Sequence, residues 1–180
     1  TKADNFSVNI WVKTGGIGSD PVLIGNKNWG SGSNAGWLIC TDNSNIYPTG
    51  GNGWQVNMAP DPKGPNRYDW KAGNVTPDKA PTISDNAWHM VTMVVDRTND
   101  KISVYRDGVE YTQADQDISR FGEEPLYELA QKYSINLWED GSEIYNSKST
   151  TRQLLEGFMD DVRYYNTVLT SVEITALFNE

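Results

Sequence analysis

The sequence of 180 residues has a single cysteine, Cys40, and a single histidine, His89. One cysteine excludes an intrachain disulfide. One histidine beside one cysteine excludes a Cys–His zinc cluster. A nucleophilic triad would need His89 next to an activated serine or cysteine, and the pattern offers none. Basic residues are also scarce, 15 Lys and Arg against 24 Asp and Glu, for a net charge of -9. Nucleic acid is therefore excluded as a partner, since it selects a basic face. No apolar run reaches the length of a membrane span and no signal-peptide pattern is visible, so no membrane insertion is expected.

What is present suits many short strands joined by loops: 16 glycines, 8 prolines, 7 tryptophans and 9 tyrosines. The length fits one domain with a sizeable core, expected to span residues 1–180. The first strand comes within a few residues of Thr1, the habit of a module excised from a larger protein. Phe6, Val8, Ile10 and Val12 alternate with Ser7, Asn9, Trp11 and Lys13, the period of a half-buried strand. Further strands are expected at Pro21–Gly25, Gly36–Thr41, Trp54–Met58, Tyr68–Trp70, Trp88–Asp96, Lys101–Tyr105, Ile135–Trp138 and Phe158–Tyr165. Asp107-Gly108 is a tight hairpin into Val109-Glu110-Tyr111. Thr170 and Glu173 form a capping box that opens a helix with Ile174, Leu177 and Phe178 on one face. These patterns predict an all-β fold: a two-sheet antiparallel sandwich with a short C-terminal helix.

Several segments also carry a resemblance. They are Phe6-Ser7-Val8-Asn9-Ile10-Trp11-Val12, Ala87-Trp88-His89-Met90-Val91-Thr92, Ser134 to Gly141, Gly157 to Asn166 and Leu169 to Ile174. In this order they resemble the laminin-G-like and pentraxin-like branch of the concanavalin A-like lectins. That resemblance implies a jelly roll that binds glycans or proteins at its rim, often through calcium. It also implies a structural role for His89, and a buried Cys40 is expected from its apolar strand.

Three kinds of site follow. Glucanases of this fold carry Glu-x-Asp-x-x-Glu on a strand, and the nearest approach here, Glu139-Asp140-Gly141-Ser142-Glu143, lacks that register. The same turn is a calcium candidate. The resemblance pairs Glu139 and Asp140 with the loop holding Asn26 and Asn28, against the alternative of a polar turn without metal; relatives often have Asp where Asn28 stands. Asp160, beside Asp161 on the closing strand, matches a calcium-binding position of the glucanases; pairing with Arg163 or Lys13 is the alternative. The third kind is aromatic. Trp29, Trp54, Tyr68 and Trp70 lie in or beside loops, and sugar rings stack on such side chains. Arg67 stands beside Tyr68 and is suited to an anionic glycan group. Trp29, Trp70 and Tyr68 are expected to expose a ring face, whereas Trp11, Trp37, Trp88 and Trp138 are expected to pack the core.

The reading that joins these features is a non-catalytic, lectin-like carbohydrate-binding module from a secreted or surface bacterial protein such as a glycoside hydrolase. Its partner would be a polysaccharide or glycoconjugate glycan, bound by Trp29, Asn28, Arg67, Tyr68, Trp70 and Trp54, with calcium as a candidate cofactor at Asn26, Asn28, Glu139, Asp140 and Asp160. The alternatives are a protein-binding adhesion or spacer module and a glycosidase-type catalytic domain.

Overall fold

The computed structural model describes residues 5–15, 21–26, 35–42, 53–60, 66–72, 75–76, 82–113, 115–126, 136–137 and 155–180. Its strands are β1 (Phe6–Thr14), β2 (Val22–Gly25), β3 (Gly36–Asp42), β4 (Gly53–Ala59), β5 (Tyr68–Lys71), β6 (Val75–Thr76), β7 (Trp88–Asp96), β8 (Lys101–Arg106), β9 (Val109–Glu110), β10 (Thr112–Gln113), β11 (Asn136–Leu137) and β12 (Gly157–Tyr165), followed by helix α1 (Ser171–Phe178). One five-stranded sheet runs β12-β1-β7-β8-β9 and the other β11-β2-β3-β4-β5, while β10 and β6 form a separate pair. The two large sheets are antiparallel and the architecture is the expected jelly-roll sandwich.

The period-two pattern of β1 sets the layers. Phe6, Val8, Ile10 and Val12 face inward and join Val91, Met93 and Val95 of β7 and Ile102 and Val104 of β8. From the opposite sheet come Ile39, Trp54, Val56, Met58, Tyr68 and Trp70. Together these form the main core between the sheets. Cys40 is buried with Val22 and Leu38 in a smaller cluster, as a small hydrophobe.

The punctuation reads as the sequence predicts. Asp107 and Gly108 have φ of 52° and 78°, the two positive values a type I′ hairpin turn requires. β12 pairs with β1, and a Cβ at Gly157 would collide with the backbone of Lys13, so only glycine lets the two strands meet there. The capping box is complete: Glu173 N–H donates to Thr170 Oγ1, and Thr170 N–H donates to Glu173 Oε2 at 2.7 Å. The helix it opens lies on the outer face of the first sheet. There Ile174 and Leu169 cover Met90, Val94 and Tyr105, with Trp11, Leu177 and Phe178 packed alongside. Ser7 Oγ fastens the approach to the helix, donating to Thr167 O at 2.8 Å and accepting from Leu169 N–H at 3.0 Å.

Two aromatic expectations fail. Tyr68 and Trp70 are about 1% exposed, not open at a rim, because β5 pairs with β4 and its alternation turns them inward while Asp69 and Lys71 face out. Trp54 is likewise fully buried, its ring 4.5 Å from that of Trp70. A buried ring has no face to offer a sugar. The converse holds for Trp88, expected in the core and found 42% exposed. It shares its strand face with Met90, but it begins the strand outside the apolar cluster that gathers around α1.

Candidate functional site

The exposed end of this outer face carries the candidate site. Across three strands the register aligns Trp88 with Lys13 and Lys13 with Phe158; two positions along, on the same face, it aligns Met90 with Trp11 and Trp11 with Asp160. Side chains opposite or diagonal on one sheet face are neighbours. Trp11, Trp88, Asp160 and Asp161 accordingly line one open pocket of about 430 Å³. Phe158, 64% exposed, lies on the same row as Trp88. One face of the Trp11 ring stacks on Phe178 at 5.8 Å, so the helix end holds this wall of the pocket in place.

The carboxylates are aimed by an irregularity. Asn9 pairs with Arg163 and Trp11 with Asp160, so Asp161 and Val162 together stand opposite Ile10. This is a β-bulge, the device that re-aims side chains beside functional sites. Asp161 takes a left-handed φ of 49° in it. Aspartate tolerates that region better than most residues, at a cost on the order of 1 kcal/mol. The ordinary alternation would have put Asp160 and Asp161 on opposite faces; the bulge gives both to the pocket.

Their partners differ. Asp161 is gripped by Arg163, Nε to Oδ1 at 2.8 Å and Nη2 to Oδ2 at 2.6 Å. Arg163 Nη1 also reaches Glu180 at 2.8 Å. These bonds, Asp161 first, raise the proton affinity of the guanidinium above its ordinary value. Asp160 Oδ1 accepts the Asp161 amide at 2.8 Å, and among the described residues no cation pairs with Asp160.

A charged network pins the turn from which Trp88 projects. His89 bonds Asp107 through Nδ1 and Asp85 through Nε2, each at 2.9 Å. Asp85 Oδ1 also accepts the Ala87 amide, and Asp107 Oδ1 accepts that of Met90, both at 2.9 Å. Arg106 Nη1 contacts Asp107 at 3.0 Å. The Asp107 bond, outweighing burial, raises the pKa of His89. Burial would raise Asp107 and Asp85, but their hydrogen bonds, to His89 and Met90 in one case and Ala87 and His89 in the other, bring both below the usual range. His89 is thus structural in its setting, as the resemblance implied.

The residues singled out from sequence are largely not brought together. Trp29, Asn28, Trp138, Glu139 and Asp140 lie outside the described residues. Arg67 does not stand free for an anion: Nε bonds Asp69 at 2.6 Å, and Asp69 also accepts from Asn57. Asn26 uses its amide internally, accepting from Trp37 N–H at 2.9 Å and donating to Leu126 O at 3.2 Å. Asp160 is on the other sheet, so the two described members of the calcium set do not converge. Asn136 pairs with Gly25 and Leu137 with Ile24, so β11 runs toward the Val22 end of β2, whereas Asn26 follows its Gly25 end. Among the described residues no group of three His, Cys, Asp or Glu is placed to hold a metal. These residues alone do not fit a calcium shell, which wants six to eight oxygens. Sequence reasoning missed Trp11 and Trp88 as site residues. Their shared face was legible once β1 and β7 were paired, but one sequence does not give the register.

The fold and site define a class: an antiparallel two-sheet sandwich with an aromatic and carboxylate pocket on an outer face. A family model described as the concanavalin A-like lectin/glucanases superfamily matches residues 1–175, and the chain belongs to that family. No curated protein matches the sequence. Among solved structures, the CBM40 of the Ruminococcus gnavus IT-sialidase is 14% identical, with a TM-score of 0.62 over 97% of this chain and 83% of that one. It has also been solved bound to α2,3-sialyllactose. Domain 4 of AbnA, an extracellular arabinanase from Geobacillus stearothermophilus solved with arabinotriose, is 19% identical, with a TM-score of 0.54 over 98% and 68%. The NanB sialidase of Streptococcus pneumoniae is 17% identical, with a TM-score of 0.58 over 97% of this chain and 24% of that one. At these identities the likeness is one of fold.

Proposed function

We propose that the chain is a non-catalytic carbohydrate-binding module that holds a sugar ring against Trp88, with the carboxylate side of the pocket bonding its hydroxyls. The observation that carries this reading is the pocket of Trp11, Trp88, Asp160 and Asp161, with Trp88 42% exposed. Binding pockets combine apolar walls with a few placed polar groups, and this one has that composition. Two of the similar structures are modules of glycan-degrading enzymes, which supports the same reading. A module that serves such an enzyme would work outside the cell or on its surface. Among the described residues no helix is long and apolar enough to cross a membrane.

The arrangement suits binding better than hydrolysis. Glycosidases set two carboxyl groups on either side of the scissile bond. Here the two are adjacent on one strand, and Arg163 takes both oxygens of one of them. A protein-binding role has one observation of its own: β12 is a sheet edge with Val162 42% and Tyr164 52% exposed. A glycan array on the isolated chain tests the reading, with retention on at least one glycan expected and lost in Trp88→Ala. No retention on any glycan would overturn it. Calcium is a separate proposal, resting on the sequence of the 139–140 turn; repeating the array with a chelator tests it, and unchanged retention would retire it.

A further inference from the structure

We infer that this outer face reads the interior of an extended polysaccharide chain, stacking one sugar ring on Trp88 and the next but one on Phe158. This rests on the carbohydrate-binding reading above and names the ligand class for its site. The register carries it. Trp88 pairs with Lys13 and Lys13 with Phe158, so the three stand in one row across β7, β1 and β12. Val12 and Met159 turn toward the main core, so their neighbours Lys13 and Phe158 point outward; Trp88 shares the outer side with Met90, two residues on. Both rings are open, Trp88 at 42% and Phe158 at 64%. Neighbouring strands lie about 4.8 Å apart, so two strand steps set the Cα atoms of Trp88 and Phe158 roughly 10 Å apart. That separation is close to the two-residue repeat of an extended β-1,4-linked sugar chain, whose alternate rings present the same face. Aromatic rings suit the apolar faces of such sugars. The middle ring of three then lies over Lys13.

The polar groups and the ends of the row fit the same occupant. The Lys13 ammonium and the indole N–H groups of Trp11 and Trp88 are donors, and Asp160, two positions along β12 from Phe158, is an acceptor. A hydroxyl both donates and accepts, so the middle ring can bond to either kind of group. A site that reads a chain end needs walls around that end. A site that reads the interior must let the chain leave on both sides. Phe158 lies on β12, an edge strand of its sheet, and Trp88 adjoins the exposed residues 85–87, so among the described residues neither end of the row is closed. Trp11, backed by Phe178, stands two positions along β1 from Lys13, so its wall runs beside the row and not across its end.

The test titrates cello-, manno- and chito-oligosaccharides of one to six residues against the intact chain, with sialyllactose beside them as a short glycan read from its end. In the series that binds, affinity should rise roughly tenfold or more from the disaccharide to the trisaccharide, the first length that reaches both rings, and then level off. Phe158→Ala should flatten that step, and Trp88→Ala should weaken every length; thermal melting checks that both variants fold. Affinity independent of length, binding confined to sialyllactose or to a short or differently linked glycan, or an unchanged step in Phe158→Ala would overturn the chain reading while leaving the domain a glycan binder. Binding to none of these, with nothing retained on the array above, would overturn the carbohydrate reading and this inference with it.

Discussion

Trp70 and Trp88 are the same side chain on opposing sheets of one sandwich, and they do opposite things. Trp70 is sealed between the sheets, its ring against Trp54 and its indole N–H donating to Tyr111 O at 2.9 Å. Trp88 stands on the outer face at the start of β7, open to solvent beside two carboxylates. Neighbouring composition argues the reverse assignment, because Trp70 is flanked by loop residues and Trp88 opens a long apolar strand. What decides is which way each residue points from its strand and what covers that face. On the inner side of β5 there is an entire second sheet. On the outer side of β7 there is one two-turn helix, and its apolar cluster does not take in Trp88.

The largest effect separating the two comes from Trp70→Ala. Removing a fully buried indole leaves a cavity beside Trp54 and an orphaned carbonyl on Tyr111, and should cost about 3–5 kcal/mol. Denaturant unfolding measures it. A loss below about 1 kcal/mol would mean that Trp70 is not the core residue its burial describes, and the contrast with Trp88 would collapse.

A smaller effect concerns the network that holds the base of Trp88. His89 in the fold has a pKa above the ordinary 6.5, chiefly through Asp107. A raised folded pKa means the fold favours the protonated ring, so its stabilisation is fully present below about 6.5 and fades as pH rises through the folded value. Asp85 and Asp107 have lowered values, so their contribution is present above about 3.9 and is lost as acid protonates them. The protein should therefore be most stable between about pH 4 and 6.5 as far as this cluster decides. His89→Gln should lose the alkaline limb of that profile. Melting curves from pH 4 to 9 check it; a wild-type and variant difference that stays constant above pH 6 would show that His89 is not the titrating group. His89 is the single histidine of the sequence and lies on the other sheet, so Trp70→Ala should shift the profile above pH 6 without changing its shape there.

The fold was legible because its signals are local. The alternation of β1, the Asp107-Gly108 turn and the Thr170–Glu173 box each need only adjacent residues, and each is found where it was expected. Tyr68-Asp69-Trp70-Lys71 carried the same period of two, but prolines and asparagines around it drew the reading toward a rim loop. The site was less legible for a different reason. Asp161 reaches the pocket through a bulge, and a bulge leaves no mark in composition. Trp11, Trp88 and Asp160 meet only through the register of three strands that are distant in sequence. The loop residues named for glycan and calcium, Trp29, Asn28, Glu139 and Asp140, fall outside the described residues.

The smallest expected stability effect is the most informative about function. Trp88 is 42% exposed and belongs to neither the Trp11–Phe178 stack of the outer face nor the Trp54–Trp70 pair of the core. Its ring is largely open and among the described residues makes no buried hydrogen bond, so truncation to alanine should cost only about 1 kcal/mol. Selection for stability alone gives no reason to keep so large an apolar ring partly in solvent, in a pocket it shares with two carboxylates. A stacking partner gives one. Trp88→Ala should then melt close to the wild type while glycan retention falls sharply, and Trp70→Ala should lose stability far more. If Trp88→Ala instead destabilises the domain as much as Trp70→Ala while spared folded protein still binds glycan, the exposed ring is a structural support for the 85–89 turn, and the pocket loses its claim as the binding face.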